Sequence, residues 1–306
     1  MSDSVVTMPA ALEASRSFRL RVFLSFFAIY ILWGTTFLAI RVAVTELPPL
    51  FAAGTRFFIA GAALYLWMCV KGHTQPSLAQ WRNLAIMASL MFVSEYGPLF
   101  WAEKYVPSGI AAVLAATIPI LTMVCEVALR QQRFRWTLLN STLLGFCGVA
   151  ILLLHGGGQS FGIVPCFAIL AGSIGWALGS VLSRSMDLPK SRPLTSGAAM
   201  MLGGTGLLLL SALFGELHPL PHVTARASFA LLYLIVVGSL LAFTAYVWLL
   251  QHFSASSLAS YAYVNPIVAV ALGYFAAGEP VTLRTLAGSA LVLISVFLIL
   301  KMPKQA

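Results

Sequence analysis

The sequence predicts an all-α polytopic membrane protein in which ten transmembrane helices form two five-helix repeats of inverted topology. Three observations lead there. About 60% of the 306 residues are apolar and 9% charged, against roughly 25% charged in a soluble domain. The apolar residues gather into ten runs of membrane-crossing length, joined by short polar connections. One stretch is also written twice: Trp101 to Ile120, WAEKYVPSGIAAVLAATIPI, returns as Trp248 to Ile267, WLLQHFSASSLASYAYVNPI. The shift is 147 (248 − 101); it carries Ala112 to Ala259, Ala115 to Ala262, Pro119 to Pro266 and Ile120 to Ile267, and still relates Val149 to Val296. Upstream, Trp33 echoes as Trp176 at a shift of 143, which a short insertion between the copies explains.

Residues 1–19 read as a polar segment without a cleavage-site pattern, and the first apolar run, Leu20 to Ile40, is too long for a signal-peptide core, so it stays as a span. The next four runs are Pro49 to Val70, Trp81 to Ala102, Pro107 to Leu129 and Leu138 to Leu154. A glycine-rich link, 155–161, separates them from Gly162 to Ser183, Thr195 to Phe214, Arg226 to Leu250, Ser256 to Ala277 and Leu283 to Leu300. The repeats are therefore 20–154 and 162–301, with a tail at 302–306.

Orientation follows from Lys and Arg in the connections. A cytoplasmic N-terminus puts thirteen of them on the cytoplasmic side, from Arg16, Arg19 and Arg21 through Lys304, and leaves four on the other: Arg41, Lys104, Arg226 and Arg284. Both termini then face the cytoplasm. The net charge of +9 is accounted for by this asymmetry and calls for no nucleic-acid partner. Because five spans is an odd number, the second copy crosses the bilayer upside down. Inverted repeats are a common architecture of secondary transporters, with a solute site near the midplane between the halves.

Other chemistries find little support. Cys69, Cys125, Cys147 and Cys166 lie in or beside apolar runs without a CxxC pair, and read as packed free thiols. The five histidines fall at span ends or in loops, no HExxH or GxSxG occurs, and neither metal nor cofactor is expected. An intramembrane enzyme would need more converging polar groups, and a scaffold or sensor would be expected to carry a substantial extramembrane domain. Gly156, Gly157 and Gly158 lack the Lys and Ser or Thr of a phosphate loop. Asn140-Ser141-Thr142 matches a glycosylation sequon but falls on the cytoplasmic side.

Pro119 and Pro266 lie about halfway along the fourth and ninth spans. A mid-helix proline frees a carbonyl, tolerated in a bilayer where protein or water lines a cavity. Beside the second, Tyr261, Tyr263 and Asn265 offer hydroxyl and amide groups to a solute. Arg56 and Glu95 sit at similar depth in the second and third spans, where they either neutralise each other or leave Glu95 free to titrate or bind a cationic group. Coupling to a proton gradient is an expectation resting on Glu95. Glu126 precedes Arg130 by four residues and reads as a surface pair. Gly175 to Gly179 is a GxxxG that lets two helices approach. Trp33, Trp101, Trp176 and Trp248 serve either as interface anchors or as cavity walls.

Several motifs together resemble the EamA family of the drug/metabolite transporter superfamily: WGTTFLAIR at Trp33, PPLFAAGTRFFIAG at Pro48, VPSGIAAVLAATIPI at Val106, SIGWALGSV at Ser173 and SYAYVNPIVAVALGYFAAGEPVT at Ser260. The resemblance spans both halves. It implies a basket-shaped carrier in a bacterial inner membrane, with spans one, three, four, six, eight and nine around a central cavity. It implies export of small metabolites, amino acids among them, or of drugs, with import of the same solutes as the alternative. On that basis Trp33, Tyr96, Trp101, Trp176, Tyr263 and Asn265 are cavity candidates, and Arg56 matches the family's arginine of the second span. The family's Gly-Glu pair after the ninth span is present as Gly278-Glu279, whereas the first copy has Gln131-Gln132-Arg133.

Overall fold

The computed structural model describes residues 10–130, 136–153, 162–217, 223–249 and 261–300. Among them every regular element is helical. The chain begins with α1 (Ala10–Phe27), a π-helical segment π1 (Ala28–Leu32) and α2 (Trp33–Val44), which form one rod. Helix therefore starts ten residues before the expected first span, and residues 10–19 are not an irregular tail. After α3 (Pro49–Val70) come α4 (Leu78–Ala88), π2 (Ser89–Val93) and α5 (Ser94–Ala102), again one rod. The fourth expected span is broken into α6 (Ser108–Ala115) and α7 (Ile118–Ala128). Pro119 sits in the first turn of α7, so the predicted weak point becomes a full interruption at Ala116 and Thr117. Then follow α8 (Trp136–Leu153), α9 (Ile163–Ser183), α10 (Arg192–Leu213), the rod α11 (Ala225–Tyr233), π3 (Leu234–Leu241) and α12 (Ala242–Leu249), α13 (Tyr261–Ala277) and α14 (Leu283–Leu300). Pro266 lies inside α13, which stays continuous around it.

By length and composition seven helices can cross a membrane, from Arg16–Val44 to Ala225–Tyr246, and Leu139–Ile151, Val264–Ala277 and Leu283–Leu298 are shorter apolar helices. The link at 155–161 lies outside the described residues.

Local chemistry sets the boundaries. Pro48, Pro107 and Ser191 stand immediately before α3, α6 and α10. Ser77 and Gln80 form a reciprocal capping box at α4. Gly72 and Gly215 stop α3 and α10 at φ of +77° and +69°, a conformation a side chain disfavours.

Lipid tails are as apolar as leucine, so helices in a bilayer associate through close packing of small residues rather than by escape from water. The tightest crossing joins α3 to α10, antiparallel: Gly54 faces Gly204 and Gly61 faces Gly197. A Cβ at Gly61 would lie 2.2 Å from Met201 N, and one at Gly204 would lie 2.2 Å from Phe58 N. These glycines repeat the 143 shift (197 − 54 and 204 − 61). Helix α8 meets α14 in the same manner, with Gly148 on the Gly288 carbonyl and Gly145 on Ser295. Gly175 and Gly179 bring α9 against Ser94, Leu90 and Met91, the close approach expected of that GxxxG.

Candidate functional site

A cavity opens between α2, α3, α5, α9, α13 and the broken α6–α7 span. Its walls come in three kinds. One is small and apolar, made by Ala112, Ala115, Ala116 and Ile118 where the chain is interrupted, with Pro119 and Pro266 also in the lining. Another is aromatic, made by Trp33, Tyr96, Trp176 and Tyr261. The third consists of Arg56, Glu95, Thr36 and Asn265.

The π segments shape this site. A π turn leaves a carbonyl without its usual partner, and such turns are frequent at functional sites. Here cavity side chains bond to carbonyls of two of these segments. Trp33 donates its indole N–H to Gly238 O in π3 at 3.0 Å. Asn265, 7% exposed, donates its amide nitrogen to Ile29 O at 3.0 Å and Tyr30 O at 2.8 Å in π1. The amide expected to orient a solute thus commits its nitrogen to holding the first rod. Trp33 also packs against Tyr246 and Tyr261 with ring centroids 5.3 and 5.2 Å away, while Tyr96 and Trp176 meet at 6.0 Å on the other side.

Arg56 and Glu95 are 2% and 3% exposed and both line the cavity, yet they do not pair. Arg56 donates Nε to Ser239 Oγ at 2.9 Å, lies over the rings of Phe57 at 4.7 Å and Tyr96 at 5.5 Å, and leaves Nη1 without a partner. Glu95 leaves Oε2 without one, held against the backbone of Gly172, where a Cβ would lie 3.0 Å from that oxygen. The structure therefore contradicts mutual neutralisation and leaves each of these two oppositely charged cavity-lining residues with an unmatched polar atom.

Two expectations are corrected. Trp101 is not in the cavity wall: it is 37% exposed and packs on Tyr105 at 5.4 Å, at the end of α5. Its repeat partner Trp248 likewise lies at a rod end, with the Phe18 ring tilted against it at 5.9 Å and Arg21 over the ring. The tryptophan pair related by 143 thus faces the cavity, and the pair related by 147 marks span ends. Glu126 pairs with Arg184 at 2.5 Å instead of with Arg130, whose φ of +57° ends the helix. The side chain of Tyr263 lies outside the described residues. Sequence reading missed Ser239, a residue type common in any apolar helix, and the alanine wall, which in sequence is indistinguishable from packing.

The arrangement is that of a helical membrane protein with a central, aromatic-walled, charge-bearing cavity. The EamA-like transporter family profile matches twice, over residues 20–154 and 163–301. The chain belongs to the EamA-like transporter family. It is 37% identical over 85% of its length, and 84% of the relative's, to YedA of Escherichia coli (strain K12), named as an uncharacterized inner membrane transporter. It is 24% identical, over 88% of this chain and 91% of the other, to a protein of Salmonella typhimurium (strain LT2) named as a probable amino-acid metabolite efflux pump. A solved crystal structure superposes with a TM-score of 0.64 at 20% identity, over 91% of this chain and 96% of its own, a likeness of fold.

Proposed function

We propose that the protein is a secondary transporter that exports small amphipathic solutes bearing both an amino group and a carboxylate, amino acids and their relatives, by alternating access. One observation carries this reading: Arg56 and Glu95 line the same cavity, and each has one polar atom without a partner. Arg56, oriented by Ser239, can receive a carboxylate at its free Nη1. Glu95 can receive an ammonium group, and the rings of Trp33, Tyr96, Trp176 and Tyr261 accommodate an apolar body. The efflux role named for the Salmonella relative agrees with this solute class.

The body comprises ten spans in two inverted halves, with both termini in the cytoplasm of a bacterial inner membrane. Antiparallel contacts of α3 with α10 and of α8 with α14 support the inversion, and the thirteen-to-four distribution of basic residues supports the orientation. A carboxylate that binds ammonium binds a proton in its absence, so Glu95 exchanges one for the other and an inward proton gradient drives solute outward. The test is uptake of radiolabelled neutral amino acids into inside-out vesicles, with and without an imposed gradient. Uptake that requires both the gradient and Glu95 is the expected result. If Glu95→Gln transports with its pH dependence intact, coupling through Glu95 is wrong.

A further inference from the structure

On the face opposite the start of the first rod, three carboxylates close helix N-termini across the two family-matched segments. Glu46 accepts from Thr224 N and Oγ1, both at 2.9 Å, at the start of α11. Glu216 accepts from Leu50 N at 3.3 Å and Phe51 N at 3.0 Å on α3. Glu279 accepts from Ser108 N at 2.9 Å, Ser108 Oγ at 3.0 Å and Gly109 N at 3.3 Å on α6. Each carboxylate thus meets backbone donors at the positive end of a helix dipole.

Glu103 is the exception. It is 0% exposed, and neither carboxylate oxygen has a donor. Arg41 does not supply one: its Nη1 donates to the carbonyls of Glu103 at 2.6 Å and Val106 at 2.9 Å, pinning the loop backbone instead. Glu103 lies one helical turn, about 6 Å, beyond Leu99, and Arg41 follows Ile40; Leu99 and Ile40 both line the cavity. Glu103 therefore belongs to the layer between the cavity and this face.

The charges that reach it are Arg41 from α2, Arg56 from α3 and Glu279 from the loop after α13; the neighbouring Lys104 is exposed. Burial, followed by the Glu279 charge, pushes the Glu103 carboxyl well above the usual carboxylate range, against the pull of Arg41 and Arg56. We propose that Glu103 is the proton-binding site of a latch on this face. The closed layer holds it as a neutral acid with a proton taken from water at that face. Opening the layer returns the carboxyl to water, where it ionises and gives the proton back. Acid at this face then favours the sealed cavity, and alkali the open one.

The latch takes its purpose from the alternating access proposed above, but its titration needs no solute. Hydrogen exchange of residues 103–112, corrected for the intrinsic rate and followed in lipid nanodiscs from acid to alkaline pH, is the measurement. The wild type is expected to exchange about tenfold faster as Glu103 ionises, and Glu103→Gln to stay slow throughout. A flat wild-type profile overturns the latch, as does a Glu103→Gln profile with the same midpoint. A second measurement covers the case in which that variant fails to assemble. In the Glu95→Gln protein, which lacks the other carboxyl buried among the described residues, infrared spectra at neutral pH must carry a protonated-carboxyl band, and its absence overturns the proposal. Because neither readout involves flux, a protein that transports without the latch, or latches without transporting, separates this inference from the transport reading.

Discussion

Arg56 and Glu95 are the costliest residues in the cavity, because buried charges without partners are rarely kept for stability. Their unmatched atoms make sense as contacts completed by a solute. Replacing Arg56 with Lys keeps the charge but loses the planar fork and the Nε bond to Ser239. The expected outcome is a rise in KM for carboxylate-bearing solutes of about tenfold or more, the scale of one charged hydrogen bond, read in a vesicle assay. Ser239→Ala should produce a smaller rise in the same direction. Glu103 makes a separate prediction. Its folded-state proton affinity is raised, so the folded protein holds a proton that the unfolded chain has released above the usual carboxylate range. Stability is therefore full in acid and falls with rising pH until Glu103 ionises in the folded state as well. Thermal midpoints in detergent should fall with pH more steeply in the wild type than in Glu103→Gln. The aromatic cavity residues were legible from repeat position and family motifs. Glu103 was not, because beside Lys104 it reads as an ordinary loop charge, and its burial depends on elements far away in sequence. Trp101 and Trp248 kept both readings open, since a tryptophan at a span end serves a membrane interface as well as a cavity wall.

Among the elements, the π segments and the broken fourth span give the cavity its shape. Pro119 announced a weak point; that the helix stops and restarts there was not legible, because Ala115 and Ala116 would suit a continuous helix equally well. The π turns carry no sequence mark at all. Their carbonyls are recognisable only once Trp33 and Asn265 are seen bonded to them. The α3–α10 crossing is a different matter, since its glycines recur at the repeat shift. Gly61→Ala would bring a methyl group to 2.2 Å from Met201 N, a contact that requires backbone movement. That overpacking is expected to cost about 1–3 kcal/mol, visible as a lower melting temperature and reduced membrane abundance. Gly72→Ala, beyond the end of the same helix and free of neighbours, meets only the strain of its positive φ and should be milder. Equal losses at the two sites would mean that the crossing does not hold the helices together.

For the whole molecule, composition alone established a helical membrane protein, and the motif set established the family that the two profile matches report. The partners of individual charges were beyond reach, as Glu126 illustrates by choosing Arg184 on another helix over the nearer Arg130 in sequence. The proposed function turns on unpaired charges in the cavity serving an exported zwitterion. Untargeted mass spectrometry of medium and cells tests it most directly, comparing the wild type with an Arg56→Ala, Asn265→Ala double variant at matched membrane abundance. A small set of solutes carrying both amino and carboxylate groups is expected to rise outside and fall inside with the wild type alone. The same solutes moving equally with the double variant, or accumulating inside the cells, would contradict it.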